Sequence, residues 1–211
     1  MYRAIIFDLD GVICFTDQFH YQAWKLLADR LEIPFDEEIN KRLRGVSRME
    51  SLDIILEQAD REFTPEEKQA LAEEKNNVYK ELLMQMSEKD LSDEVRDTLH
   101  ELRNRGYRLA IGSSSKNTPT ILRQIGLEDF FDAVSDGNNI SRSKPDPEVF
   151  LKAAEYLGEA PTDCLVVEDA DAGIEAAASG GFASAGLGDA AVNVKTTYGM
   201  ERFSDLLKIC G

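Results

Sequence analysis

An apolar run that stops at two carboxylates constrains the fold of this chain more than any other feature. The run is Ala4-Ile5-Ile6-Phe7, which is typical of a fully buried strand in a parallel sheet. Asp8, Asp10 and Gly11 follow it directly. In open α/β sheets, ligands bind beyond the carboxyl ends of the strands. The two acids therefore fall where such a fold performs its chemistry.

The acidic pair by itself has two interpretations. Two neighbouring carboxylates can hold a hard cation, or they can divide into one nucleophile and one proton carrier. Alternatively, the strand runs into a turn in which Asp10 and Gly11 serve only as turn residues. Three later stretches of the chain favour the chemical interpretation.

Composition limits the classes of partner. The chain has 211 residues, of which 43% are hydrophobic, enough for one good-sized domain or for a core domain with a smaller insertion. Its formal net charge of -16 argues against nucleic acid or an anionic membrane surface as the main partner. An anionic small molecule would need a local cluster of cations that opposes this overall charge.

Hydropathy and cysteine usage bear on location. No apolar run approaches the roughly 20 residues that span a bilayer, and the N-terminus has no basic region followed by an apolar one. Cys14, Cys164 and Cys210 are odd in number and widely spaced, as in a reducing compartment. We expect a cytoplasmic protein. Cys14 lies near the acidic pair, either as a reactive thiol or, more commonly for such a residue, as a small buried hydrophobe.

The periodicity changes to helical after Gly11. Between Thr16 and Leu31 the apolar residues recur at steps of three and four, as in an amphipathic helix. Thr64-Pro65-Glu66-Glu67 is a strong start signal, with a capping hydroxyl, a proline at the first helical position and a glutamate at the third. Helices are predicted at 16–31, 36–43, 48–59 and 65–84.

Beyond Asp90, strands alternate with helices, which predicts a doubly wound parallel sheet. The predicted strands are 108–112, a short one within 131–134, 164–167, 182–186 and 191–194. The predicted helices are 94–104, 118–125, 148–157, one that begins near 172, and 204–209. The fold class is therefore α/β, with a Rossmann-like core at 1–15 and 88–211. The helical block at 16–87 is then an inserted small cap domain.

Three further polar stretches occur at the ends of strands or in the loops near them. They are Ser113 to Asn117, Lys144-Pro145, and Glu168-Asp169. Each has a structural alternative: a loop with a helix cap, a solvated loop lysine, and an acidic helix cap, respectively. It is improbable that these three stretches and the first acidic pair all have only structural roles. Together they indicate one site.

In this order, the four stretches resemble the signature motifs of the haloacid dehalogenase superfamily, and the resemblance spans nearly the whole chain. The insertion also falls where the helical cap of that superfamily lies. Within it, residues 19–24, 43–48, 50–52 and 75–76 are similar to the cap of the β-phosphoglucomutases. That similarity implies interconversion of β-glucose 1-phosphate and glucose 6-phosphate through a bisphosphate.

The resemblance implies a role for each core residue. Asp8 would attack phosphorus to give an aspartyl phosphate, and Asp10 would exchange protons with the leaving and incoming hydroxyls. Ser113 would donate a hydrogen bond to a phosphoryl oxygen, and Lys144 would neutralise the charge shared with Asp8. The implied cofactor is Mg²⁺, and its implied ligands are Asp8, Asp10 (through its carbonyl), Glu168 and Asp169.

The resemblance also implies a substrate-binding set in the cap and the facing loop. Arg48 would bind the distal phosphate, because a planar guanidinium binds phosphate bidentately. His20 has a satisfied structural histidine as a serious alternative, Trp24 is more typical of cap core, and Lys75 could belong to a solvated helical face. The remaining implied residues are Thr16, Gly45, Val46, Ser47, Ser51, Lys75, Asn76, Ser114, Ser115, Lys116 and Asn117.

Two other functions fit parts of the pattern. A sugar-phosphate phosphatase of the same superfamily shares the core motifs, so only the cap residues favour the mutase. A phosphoaspartate signalling module also uses a parallel sheet, an acidic cluster and a lysine, but the long insertion after the first strand argues against it. One departure from the family pattern is Phe15, beside the hinge, which we expect to alter cap packing rather than phosphoryl chemistry. We expect a monomer.

Overall fold

The computed structural model describes residues 2–43 and 46–211. Its strands are β1 (Ala4–Phe7), β2 (Arg108–Gly112), β3 (Ala133–Ser135), β4 (Cys164–Glu168), β5 (Ala183–Gly186) and β6 (Tyr198–Gly199). Its α-helices are α1 (Asp17–Arg30), α2 (Glu37–Lys41), α3 (Arg48–Leu56), α4 (Pro65–Leu83), α5 (Asp93–Asn104), α6 (Thr118–Gln124), α7 (Glu148–Leu157), α8 (Asp171–Ser179) and α9 (Leu206–Ile209).

Within these ranges the strands form one parallel sheet in the order β3-β2-β1-β4-β5-β6, which confirms the predicted fold class. The run 4–7 is wholly buried, and β1 pairs with a strand on each side. Phe7 lies opposite Ile111 of β2 and Val167 of β4. The polar stretches that follow β1, β2 and β4 therefore emerge side by side at one edge of the sheet.

The two faces of β1 pack in two different clusters because successive side chains of a strand point to opposite faces. Ile5 and Phe7 pack in a cluster with residues of α5, α6 and α9. Ala4 and Ile6 pack in another with residues of α7 and α8. Helices thus cover both faces of the sheet, as a doubly wound fold requires.

Helices α1 to α4 lie between β1 and the rest of the sheet in sequence and have an apolar cluster of their own, which includes Trp24, Leu52 and Leu71. Other residues of α1 and α4, such as Phe19 and Leu83, pack against the sheet cluster instead. The predicted start of α4 is confirmed, because the Thr64 side chain and the Glu67 side chain each accept the other's backbone N–H.

The strand predicted at 191–194 is wrong. Residues 188–192 form a 3₁₀ turn, and the last strand is β6, which pairs with Ala185 and Gly186. Val192 and Val194 are apolar but 86% and 98% exposed, so their hydropathy indicated a burial that the fold does not provide. In the described part of the chain, no helix combines the length and the apolar character that a membrane span requires.

Candidate active site

A cavity of about 460 Å³ lies between the carboxyl edge of the sheet and the helices α1, α3 and α4. Its walls bring together the ends of β1, β2 and β4 and the inward faces of the three helices. Most of the residues named from sequence line it: Asp8, Asp10, His20, Trp24, Val46, Ser47, Arg48, Ser51, Lys75, Asn76, Ser113, Ser114, Ser115, Lys116, Asn117, Lys144, Glu168 and Asp169.

Two of the named residues remain. Gly45 lies outside the described residues. Thr16 is fully buried behind the wall, beside Asp10. The structure adds Tyr79 and Asp17 to the lining, neither of which was singled out from sequence. Tyr79 follows Lys75 by one helical turn, so the two side chains lie on the same face of the helix. That spacing was the one signal in the sequence that pointed to Tyr79.

The acidic end of the cavity holds three carboxylates around one lysine. Asp8, Glu168 and Asp169 each offer an oxygen within 4.8 Å of the others. Lys144 is 3% exposed and donates to Asp8 and, at 2.5 Å, to Glu168. Glu168 also accepts the backbone N–H groups of Asp169 and of the residue after it, each at 2.9 Å, which fixes its orientation.

Burial and mutual repulsion make this end receptive to positive charge. Burial raises the pKa of Asp8 well above its usual range, although Lys144 opposes the shift. Burial and the neighbouring Glu168 raise the pKa of Asp169 to about 7. Burial alone would lower the pKa of Lys144, but the charges of Asp8 and Glu168 outweigh it and raise the pKa. One lysine thus faces three acids, and a cation would relieve the remaining repulsion.

Two glycines make room for these carboxylates. Gly11 has φ +87°, and a Cβ there would lie 2.1 Å from Asp169 Oδ2. A Cβ at Gly173, in the first turn of α8, would lie 1.8 Å from Glu168 Oε1. A side chain at either position would push an acid away from the cluster, so both glycines are required for its geometry.

The loop after β2 supplies hydroxyl and amide groups. Ser113 is 2% exposed, and its Oγ accepts the backbone N–H of Ser115 at 3.2 Å. The Ser114 Oγ is buried and has no hydrogen-bond partner among the described residues. Asn117 donates its side-chain amide to Asn76 of α4 at 2.9 Å, which joins this loop to the helices across the cavity.

The end of the cavity that the helices form is cationic. Lys75 is 2% exposed, and its Nζ lies 2.8 Å from His20 Nδ1 and 4.6 Å from the ring centroid of Trp24. Burial and the charge of Arg48 lower the pKa of Lys75 well below its usual range. Burial also lowers the pKa of Arg48, and it lowers the pKa of His20 with help from Lys75.

Within residues 2–43 and 46–211, neither Lys75 nor Arg48 forms a salt bridge with a carboxylate. A charge buried without a counterion is costly, and a protein retains it where a ligand supplies that counterion. This end of the cavity is therefore suited to an anionic group.

We expect Lys75→Met to stabilise the ligand-free protein by about 1 kcal/mol near pH 7, because it removes a buried charge that forms no salt bridge in the described part of the chain. The folded-state pKa of Lys75 lies below its unfolded value, so wild-type stability rises with pH between the two. The gain in the variant should therefore shrink as the pH approaches about 10. Urea unfolding near pH 7 and near pH 10 measures the gain in stability, with Lys80→Met on the exposed face of α4 as control. Destabilisation near pH 7 would contradict the assignment.

Two residues near the acidic end do not face the chemistry. Cys14 is fully buried, and burial raises the pKa of its thiol well above the usual range, so it behaves as a small hydrophobe. Phe15 is 67% exposed. Most of its ring is exposed to solvent, so Phe15 contributes little to buried packing. We had expected this departure from the family pattern to alter the packing of the cap.

With this geometry established, comparison with known proteins identifies the class. The sequence profile of the haloacid dehalogenase-like hydrolases matches residues 2–181. The chain belongs to that family.

Particular members of the family are similar over nearly the whole chain. A β-phosphoglucomutase of Bacillus subtilis is 40% identical over 97% of this chain and 91% of that protein. A phosphorylated carbohydrates phosphatase of Thermotoga maritima is 33% identical over 85% of this chain and 82% of that protein. The crystal structure of a β-phosphoglucomutase from Clostridium difficile superposes with a TM-score of 0.91 at 38% identity, covering 98% of this chain and 93% of that one.

Proposed function

We propose that this chain has β-phosphoglucomutase activity and interconverts β-glucose 1-phosphate and glucose 6-phosphate through a bound bisphosphate. One observation carries the proposal: a single cavity has an acidic end and a cationic end, and Lys75 and Arg48 of the cationic end form no salt bridge with a carboxylate among the described residues. A sugar that bears a phosphate at each end can span the two. The names of the relatives in Bacillus subtilis and Clostridium difficile support the same activity.

In the proposed reaction Asp8 is the nucleophile. Its carboxylate attacks phosphorus to form an aspartyl phosphate, and the bond from phosphorus to the sugar oxygen breaks. Asp10 protonates that leaving oxygen and takes a proton from the other sugar hydroxyl in the return half-reaction. Burial raises the pKa of Asp10 to about 6, close to the range that suits both roles. Ser113 and Lys144 stabilise the charge on the phosphoryl oxygens.

The acidic end fits a magnesium ion, because its donors are all oxygens and its acids carry more negative charge than Lys144 neutralises. Asp8, Glu168 and Asp169 would hold the ion through carboxylates, and Asp10 would hold it through its backbone carbonyl. When bound, Mg²⁺ supplies charge neutralisation for the phosphoryl group. Lys144 keeps Asp8 and Glu168 at a fixed separation.

We propose that residues 16–87 act as a cap domain on a core of 1–15 and 88–211. The cap would bind the distal phosphate through Arg48 and contact the hexose through the other lining residues. A closed cap excludes water. A mutase requires this exclusion while the bisphosphate reorients in the site. The hydrogen bond between Asn76 and Asn117 is one contact that joins cap and core. Thr16 supports Asp10 rather than touching the sugar.

Arg48→Ala is expected to raise KM for β-glucose 1-phosphate by about 10- to 100-fold, because the variant loses the charge-assisted hydrogen bonds to one phosphate. Hydrolysis of 4-nitrophenyl phosphate should change by less than about twofold, because that ester has no distal phosphate. Steady-state kinetics on both substrates measure the difference. Arg30→Ala, at the outer end of α1 where Arg30 binds Glu74, is the control. Equal losses on both substrates would remove Arg48 from the distal site.

A sugar-phosphate phosphatase is the second candidate, favoured by the named phosphatase relative of Thermotoga maritima. Incubation with Mg²⁺, β-glucose 1-phosphate and a trace of glucose 1,6-bisphosphate separates the two functions when glucose 6-phosphate and free phosphate are followed together. Glucose 6-phosphate with little phosphate is the expected result. Phosphate as the main product would establish the phosphatase.

We also propose a cytoplasmic monomer that binds no nucleic acid and no membrane. The three cysteines are buried and unpaired, which suits a reducing compartment, and the net charge of -16 disfavours polyanions. Light scattering on the purified protein tests the monomer, and a mass of two chains would overturn it.

A further inference from the structure

The hydroxyl of Thr16 has an unusual position for a residue that precedes a helix. A threonine there commonly caps the helix, yet the Thr16 side chain makes no capping hydrogen bond to α1. The residue is fully buried, and its Oγ1 instead contacts Asp10 Oδ1 on one side and Tyr79 Oη, at 3.1 Å, on the other.

The number of protons fixes the direction of these two hydrogen bonds. Thr16 has one hydroxyl proton, and an ionised carboxylate has none to give. Thr16 therefore donates to Asp10, and it accepts the proton of Tyr79. Burial raises the pKa of the Tyr79 phenol well above its usual range, so the phenol keeps the proton that it donates. The result is a one-way chain of donors that ends at Asp10 Oδ1.

The first donor is held rigidly. Tyr79 is fully buried on α4, and its ring stacks on that of His20 with centroids 4.0 Å apart. The Lys75 Nζ lies 4.7 Å from the Tyr79 ring centroid. The phenol oxygen thus has a position set by packing, and the direction of the Thr16 hydroxyl follows from it.

We propose that Tyr79 is a positioning residue for proton transfer at Asp10 and that it acts through the Thr16 hydroxyl. This inference rests on the proposed acid–base role of Asp10. Because Oδ1 is occupied as an acceptor, the transferable proton resides on Oδ2. That proton passes to the sugar oxygen as its bond to phosphorus breaks and the bond from Asp8 to phosphorus forms. Thr16 and Tyr79 keep their own protons throughout. Since Tyr79 belongs to α4, these two hydrogen bonds also connect Asp10 to the helices above the sheet.

Tyr79→Phe tests the proposal because it removes one oxygen and keeps the ring. Transfer from a sugar phosphate needs a proton on the leaving oxygen, whereas 4-nitrophenolate leaves without one. We expect kcat on β-glucose 1-phosphate to fall about tenfold, with KM changed by less than about twofold. The rate on 4-nitrophenyl phosphate should change by less than about twofold. A merely structural role would lower both rates together, which would overturn the proposal.

A double-mutant cycle tests the route through Thr16. In a Thr16→Val background, Tyr79→Phe should cause no further loss, because its target is already absent. Independent, multiplicative losses would overturn the route. Tyr156→Phe, a partly exposed tyrosine of α7, is the matched control and should leave both rates unchanged. If Tyr79→Phe failed to fold, Thr16→Val alone would make the same comparison of the two substrates.

The wild-type protein separates failure of this inference from failure of the proposed function. If it releases phosphate from sugar phosphates without isomerising them, the mutase is overturned. The comparison of leaving groups still tests Tyr79 in that case, because a sugar oxygen needs the same proton. If the wild type acts on the aryl ester alone, both proposals are overturned.

Discussion

Asp8→Asn is expected to lower turnover of β-glucose 1-phosphate by at least about 10⁴-fold, because an amide cannot attack phosphorus. The substitution keeps the shape of a side chain that is only 8% exposed and that Lys144 holds in place. Initial rates measure the loss. Intact mass after incubation with acetyl phosphate reports the covalent step, and we expect one phosphoryl group on the wild type and none on the variant.

The control for this substitution is Asp97→Asn, an exposed aspartate on α5 away from the cavity, which should match the wild type in rate and in labelling. An Asp8→Asn variant that still acquired a phosphoryl group would place the nucleophile elsewhere. Glu168 and Asp169 are the carboxylates that would then need to be tested.

Asp10→Asn is expected to lower turnover of the sugar phosphate by about 10²- to 10⁴-fold, the usual contribution of a positioned general acid and base. The amide can still accept from Thr16, so the local fold should persist. Magnesium affinity, measured by calorimetry, should stay within about threefold of wild type, since the proposed ligand at Asp10 is its backbone carbonyl. A loss of magnesium affinity equal to the loss of rate would contradict the acid–base role.

Much of the acidic end of the cavity was predictable from sequence, because most of its residues directly follow strands of one parallel sheet. β1 lies between β2 and β4, so Asp8, Ser113 and Glu168 emerge from neighbouring strands of one edge. Any parallel sheet brings its carboxyl strand ends to that edge. The motifs therefore needed only the correct identification of three buried strands, which short apolar runs provide.

The hydroxyl chain and the charge balance of the cationic end were not predictable in the same way. Helical periodicity places Tyr79 on the same face as Lys75, but it does not tell which residue that face meets. Thr16 and Tyr79 are 63 residues apart, and their contact depends on how α1 and α4 pack. The absence of a salt bridge at Lys75 in the described part of the chain is likewise a result of packing.

Hydropathy also misled where the backbone decided the outcome. The residues from Ala191 to Val194 have the composition of a strand, but residues 188–192 form a 3₁₀ turn instead. Strand pairing resumes at Tyr198, opposite Ala185. The preference of a side chain for β-strands reflects how well it packs on the surface of a sheet. It does not show whether the backbone reaches a position where it can pair with a strand.

The most direct test of the account is the fate of the phosphoryl group on Asp8. Protein phosphorylated by acetyl phosphate, freed of excess reagent and mixed with β-glucose 1-phosphate, would be followed in a single turnover by rapid quench. We predict discharge to the sugar at least about 100 times faster than discharge to water, because the proposed cap would exclude water when it closes. Release of free phosphate at the same rate with and without the sugar would contradict the mutase.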